Sequence, residues 1–392
     1  MTTVVEIPST TRLESHRRQL LDWVTGSAYP LWAAEGIDAQ TGGFVESIGQ
    51  TGQALPRPRR ARVQPRQIYA FAEARTLTWQ ADTHPILRRG WDYFTAHYRR
   101  PDGLFRTLAD VDGSPLDDRA LLYDQCFALL AYAVAGRELG ARDEYEQRAL
   151  ALREAIDKAF RSNGVAFHSD ESRRPSYESN PHMHLLEACL EWSQTGRDPS
   201  WNEWVRQLSQ LAQQRFIRRD SGALGEYFDA AWRPSPGVEG RLIEPGHQFE
   251  WAWLLLRSEK FGTDSLRKTA LRLIDIGERH GVRGGVAVNA LLDDLSIHDP
   301  GSRLWPQTER LKAAVLAARL TGDPVYWSMA AEASASLLAY LQTPIAGLWF
   351  DLKLPGGEIV DGPAPASTFY HLVAAIVALN QAMQGLPRSQ SP

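Results

Sequence analysis

The chain has 392 residues, 43% hydrophobic and 23% charged, with a formal net charge of −4. That balance excludes a mainly disordered chain, and the small charge excludes a global field drawing it to nucleic acid or to a membrane. No run approaches the roughly eighteen apolar residues of a spanning helix, and the N-terminal MTTVVEIPSTTRLES lacks the basic-then-apolar order of a secretory signal, so a cytoplasmic protein is expected.

A glycine followed by hydrophobic residues recurs along the chain, and each recurrence opens a unit. The first is Gly42-Gly43-Phe44. A Pro/Arg-rich loop, Leu55-PRPRRARVQPR, follows it and leads through Arg66 into a helical pattern from Gln67. Gly103-Leu104-Phe105 precedes Tyr123-Asp124-Gln125 and the apolar helix CFALLAYAVAG. An amphipathic helix from Asp143 then runs toward Gly164. Gly164-Val165-Ala166-Phe167 precedes Asn180, His182, His184 and Glu187 on one helix. Gly222-Ala223-Leu224 precedes His247 and Glu250, and Gly284-Gly285-Val286 precedes Trp305 and Glu309. Gly347-Leu348-Trp349-Phe350 precedes Tyr370 and His371, and the residues from Gln384 onward are expected to fray.

The spacings of these markers are 61, 61, 58, 62 and 63 residues. Two helices per unit make twelve, which close into an all-α (α/α)6 barrel with an inner and an outer ring. Common open helical solenoids repeat every 34 to 47 residues or so, too short for this period. No linker divides the chain, so one domain over 1–392 is expected, with an ordered core of about 12–384. Cys126 and Cys189 fall in apolar helical runs and read as buried thiols of a reducing compartment. The 13 Trp and 12 Tyr belong first to the core, although such rings also stack on sugars.

The six most apolar helices form the inner ring, and their N-termini carry Arg66, Tyr123, Asp124, Asn180, His184, His247, Glu250, Trp305, Glu309, Tyr370 and His371. In a closed barrel those ends converge on one funnel, the default place for a site. Asn180 and His184 share a helix face with Glu187 three further on, and His247 shares one with Glu250. A carboxylate beside a histidine fixes its tautomer and keeps its pKa useful near neutrality. A single such histidine is most simply a core residue, but three at matching places in three units point to chemistry. His182 faces elsewhere and is left out, and His16, His84 and His97 read as surface residues. No HExxH, no Cys/His cluster at zinc spacing, no phosphate loop, no dinucleotide fingerprint and no GxSxG is present, so neither metal nor cofactor is expected.

The segments Arg66-QIYAFAEA, Tyr123-DQCFALLA, Asn180-PHMHLLEA, Glu244-PGHQFEWAWLLL, Arg303-LWPQTE and Ser367-TFYHL together resemble the N-acylglucosamine 2-epimerase superfamily. The resemblance implies the same barrel, metal-independent sugar chemistry and a pocket built from Arg66, His184, His247, His371, Glu250 and Glu309. Trp251 after Glu250 looks like the aldose–ketose isomerase branch, the mannose isomerases above all, so D-mannose and D-fructose are the expected pair. The chemistry is proton transfer through a cis-enediol, with His247 and His371 as proton-transfer groups, Arg66 on the developing charge, and His184, Asn180, Glu250, Glu309, Tyr123, Asp124 and Trp305 binding substrate. A sugar 2-epimerase is the alternative. A glycoside hydrolase on the same barrel, using Asp124 and Glu309, leaves the histidines without a task, as does a sugar-binding protein without catalysis. The expected partner is a small sugar, with the protein a monomer or homodimer that binds neither nucleic acid nor membrane.

Overall fold

A computed structural model describes residues 8–162, 164–174, 176–262 and 265–384. Of the segment expected to fray from Gln384 onward, Gln384 ends a helix and the rest lies outside these residues, as do the first seven residues of the chain. The inner ring consists of α3 (Val63–Ala72), α5 (Leu122–Glu138), α7 (Ser179–Thr195), α9 (Pro245–Arg257), α11 (Leu304–Thr321) and α13 (Ala366–Gln384). Each packs on the next, and α13 closes the ring on α3. The outer ring is α1 (Pro8–Trp23) with α2 (Tyr29–Ala34), then α4 (His84–Tyr98), α6 (Arg142–Phe160), α8 (Ser200–Leu211), α10 (Ser265–Ile276) and α12 (Pro324–Tyr340). The (α/α)6 barrel is therefore the observed fold. The inner helices are apolar nearly all round because both of their faces are covered, the pattern of fully buried helices.

The expected first outer helix is two helices joined by a π-helical turn at Val24–Ala28. Pro30 stands at the start of α2 without an N–H to give back to the preceding turn, so the chain widens there. The Pro/Arg-rich segment is not wholly a loop either. Arg59–Arg60 is a strand, and α3 begins at Val63, four residues before Gln67.

The marker glycines Gly42, Gly103, Gly164, Gly222, Gly284 and Gly347 all have positive φ, from 56 to 95°. That is why glycine recurs there. Each turn leads into a short segment that pairs with the stretch just before the inner helix of the preceding unit. Arg59–Arg60 pairs with Leu108–Ala109, Ser176–Glu178 with Tyr227–Asp229, and Ser302–Arg303 with Leu352–Lys353. Bridges Leu121 to Asp170 and Ile243 to Leu291 continue the series, and Ser47–Ile48 with Ala364–Pro365 joins the first unit to the last. All six junctions between units are thus stitched by backbone hydrogen bonds, at the end of the barrel where the inner helices begin.

A second device repeats inside the units. Gln64 clamps the backbone N–H and C=O of Phe44, both at 2.8 Å. Gln125 does the same to Phe105, Gln248 to Leu224 and Gln307 to Ala287. In the third unit His182 takes this place, its Nε2 accepting from the Phe167 N–H at 3.0 Å and its Nδ1 lying 2.7 Å from the Glu178 carbonyl. In the sixth, Phe369 stacks on Trp349 instead. The clamps fix the angular register of every inner helix relative to the turn that precedes it.

Candidate active site

Counting from the clamp residues, the position two further along the helix reads Arg66, Phe127, His184, Glu250, Glu309 and His371. The position two before reads Arg62, Tyr123, Asn180, Gly246, Trp305 and Ser367. Equivalent positions in a closed six-fold ring point toward a common axis, so a polar set scattered over 310 residues meets in one place. It surrounds a cavity of about 260 Å³ that opens at the N-terminal end of the inner ring. Arg66, Tyr123, Asn180, His184, His247, Glu250, Trp305 and His371, all expected from the sequence, line it. Gly246 is required by close approach, since a Cβ there would sit 2.4 Å from the Trp305 ring.

Two expected substrate ligands are placed elsewhere. Asp124 is fully buried, held by Thr107 Oγ1 at 2.6 Å and by Arg62 Nε at 2.8 Å. It orients Arg62, which does line the cavity, and does not reach it itself. Glu309 is also fully buried, behind His371 and against Lys312. Trp251 packs in the wall against Phe216 and does not line the cavity. His182 serves the clamp, and neither it nor His16, His84 or His97 lines the cavity.

Each of the three cavity imidazoles is backed through Nδ1 by a carboxylate. His184 lies 3.1 Å from Glu187 Oε2, as its i, i+3 spacing suggests. His371 lies 2.8 Å from Glu309 Oε1 on the neighbouring helix. Spacing predicts Glu250 as the partner of His247, but the His247 Nδ1 lies 3.0 Å from Glu226 Oε2, in the bend just before the strand Tyr227–Asp229 of the same unit. Glu226 is placed there by Ser179 Oγ, which donates to Oε2 at 2.7 Å. A signal for Glu226 does exist. It stands four residues after Gly222, where three of the other five units have Glu46, Thr107 and Asp351 next to their own inner-helix N-termini.

The three rings are equally buried yet differ electrostatically. Burial drives His184 down to about 4 against the pull of Glu187. Burial also drives His371 well below the ordinary imidazole range, assisted by Arg66 and Lys312. Burial works on His247 the same way, but Glu226 and Glu244 outweigh it and hold the ring protonated, well above its ordinary value. Glu250 is pushed well up by burial and by Glu309. Arg66 donates to the Tyr123 hydroxyl at 2.5 Å and to the Ser367 carbonyl at 3.3 Å, and its guanidinium lies 4.0 Å from the Phe127 ring centre. Tyr370 donates to Glu187 below the cavity.

Among the described residues, two overlapping groups have metal-ligand spacing: His184, Glu187 and Glu250, and Glu250, Glu309 and His371. A cation already stands among them. The fully buried Lys312 places Nζ 2.7 Å from Glu309 Oε2.

Known proteins bear on this geometry. The family model described as N-acylglucosamine 2-epimerase (GlcNAc 2-epimerase) matches residues 42–375. A protein of Rhizobium meliloti (strain 1021) named mannose-6-phosphate isomerase is 42% identical over 93% of this chain and 97% of its own length. Among solved structures, a D-mannose isomerase superposes with a TM-score of 0.84 at 22% identity, covering 96% of this chain and 99% of that one. A cellobiose 2-epimerase from Spirochaeta thermophila DSM 6192 also gives 0.84 at 22%, covering 97% and 99%.

Proposed function

Because the chain belongs to the N-acylglucosamine 2-epimerase family, we propose that it is an aldose–ketose isomerase of the mannose/fructose type, working by proton transfer through a cis-enediol. One observation carries the reading: His247 and His371 face the same cavity with different carboxylates behind them, Glu226 behind His247 and Glu309, shared with Lys312, behind His371, an arrangement that favours the protonated ring at His247 and the neutral ring at His371. An acid and a base of opposite charge state are what ring opening followed by proton abstraction next to a carbonyl requires.

The neutral His371 donates Nδ1–H to Glu309, which leaves the Nε2 lone pair as base. The His247 imidazolium donates Nδ1–H to Glu226 and has Nε2–H to give. His247 protonates the ring oxygen as the C1–O5 bond breaks, the O1 hydroxyl gives its proton to solvent at the cavity mouth, and solvent returns one to His247, which leaves the sugar in its open aldehyde form. His371 Nε2 then takes the proton from C2, and the electron pair moves into the C1–C2 bond and onto O1. The Arg66 fork stabilises that enediolate. His371 returns the proton to C1 while the O2 proton passes to O1, so an aldose leaves as a ketose with no net change in protons. His184, Asn180, Tyr123 and Trp305 hold the sugar.

The 2-epimerase alternative keeps a specific observation in its favour. Return of the proton to C2 on the opposite face needs a second donor, and His247 and His371 both stand against Trp305, with ring centres 5.2 and 5.8 Å from it. The substrate is a free or phosphorylated hexose, since Arg60, Arg62 and Arg303 also line the cavity and a relative is named for mannose 6-phosphate. No resident metal or cofactor is needed, because Lys312 already supplies a positive charge to the carboxylates below. The free thiols of Cys126 and Cys189 and the lack, among the described residues, of a helix able to cross a membrane suit a cytoplasmic enzyme, monomeric or homodimeric.

Product analysis tests the proposal. The protein is incubated with mannose, fructose, glucose, mannose 6-phosphate, N-acetylmannosamine and cellobiose in deuterated water. Ketose formed from mannose or its phosphate, with deuterium at C1, is the expected result. A 2-epimer without ketose selects the alternative, and no conversion of any sugar refutes both.

A further inference from the structure

The floor of the cavity contains a buried amine to which the proton-transfer scheme gives no part. Lys312 on α11 is fully buried, its Nζ 2.7 Å from Glu309 Oε2 and 3.9 Å from the Trp253 ring centre. Around it stand Glu309 from its own helix, Glu250 from α9 and Glu187 from α7, with Arg66 from α3 and His371 from α13 beyond them. Glu187 and Glu309 are the carboxylates that orient His184 and His371. Ligand atoms of Glu250 come within 4.8 Å of both pairs. Three carboxyl groups this close and this dry repel one another unless a cation stands among them. Elsewhere such a set gathers a divalent ion, whereas here the chain brings its own charge.

We propose that Lys312 is a positioning residue of the active site, the shared counter-charge that holds Glu309 and Glu187 as ordered carboxylates behind His371 and His184. This rests on the isomerase reading for its kinetic consequence and on geometry alone for its effect on the imidazoles. Glu309 accepts from His371 through one oxygen and meets Lys312 with the other. Removing the ammonium therefore leaves a buried carboxylate uncompensated, which recovers by taking a proton or by pulling one onto His371. Either outcome spoils the base without touching the sugar. Replacing Glu309 by Gln as well removes the stranded charge but keeps a carbonyl oxygen for the His371 N–H to meet.

The test compares wild type, Lys312→Met, Glu309→Gln and the double variant on the sugar that the wild type converts. Lys312→Met is expected to lower kcat at least about thirtyfold with KM within about threefold, and to move the acidic limb of the kcat profile to higher pH. The double variant is expected to recover at least about tenfold of that loss, a compensation that a mere packing defect does not give. Titration of nitrogen-15-labelled histidines by NMR reads the same effect without activity: His371 should titrate higher in Lys312→Met and return in the double variant. Lys312→Met with kcat within about twofold of wild type overturns the proposal, as does a His371 titration that does not move. Should the single variant not fold, the double variant must be at least as active as Glu309→Gln, and a tenfold weaker one overturns the proposal. A wild type inactive on every sugar refutes the isomerase reading, and the NMR titration then decides on Lys312 alone.

Discussion

His247 Nδ1 and Glu226 Oε2 lie 3.0 Å apart across 21 residues of chain, the imidazole from an inner helix and the carboxylate from the bend just before the strand Tyr227–Asp229. This contact helps to raise the His247 value against the lowering effect of burial, which prevails at His371. Glu226→Gln should therefore cut kcat about tenfold or more. Glu226 raises the His247 value, so its loss lets the ring deprotonate at lower pH, and the alkaline limb of the activity profile should move down. A limb that stays in place in a pH–rate study would count against His247 as the acid.

His247→Ala and His371→Ala should each lower kcat by at least about a hundredfold, the usual worth of a positioned acid or base. His184→Ala should weaken binding as well as turnover. Arg66→Lys should fail with them, since a point charge cannot reproduce the donors that meet the enediolate. Steady-state kinetics on purified variants decides this. Wild-type rates in both the His247 and the His371 variants would end the assignment.

Activity should survive exhaustive dialysis against EDTA, because the ammonium of Lys312 already stands beside the carboxylates a divalent ion would claim. Loss of activity on chelation, restored by Mn²⁺ or Co²⁺, would point instead to a metal-assisted hydride shift.

His182 offers a test of the fold. Burial lowers its pKa from 6.5 to about 4, because the ring must stay neutral to accept the Phe167 N–H. A lowered histidine favours the fold above its unfolded value and loses that contribution as pH falls through the folded one. Thermal stability should therefore decline between about pH 6.5 and pH 4, with His182 contributing on the order of 3 kcal/mol at full protonation. His182→Gln, the residue at this place in four sister units, should keep both clamp bonds and lessen the decline, of which His184 and His371 account for a further part. Identical melting-versus-pH curves for variant and wild type would contradict this.

What the sequence determines by itself is periodic. A glycine every sixty or so residues, an apolar helix after it and a polar residue at that helix's start repeat six times, because a closed ring imposes the same turn and the same burial on each unit. Those constraints are local, so length, helix order, inner ring and most of the cavity lining are legible, Arg66, His184, His247 and His371 included. Tertiary structure decided the partners. Spacing along one helix identified Glu187 for His184 but named Glu250 for His247, since i, i+3 neighbours are all that one helix displays. The true partner comes from the bend that follows the marker glycine Gly222, brought in by the clamp and the ring of paired strands. Asp124 and Glu309 looked like substrate ligands for the same reason. Only the packing of neighbouring helices shows that Arg62 and Thr107 engage one, and that Lys312 and His371 engage the other. Charge state follows from those partners. Burial alone lowers the three imidazoles alike, and it is carboxylates from other elements that raise His247 while His371 stays lowered.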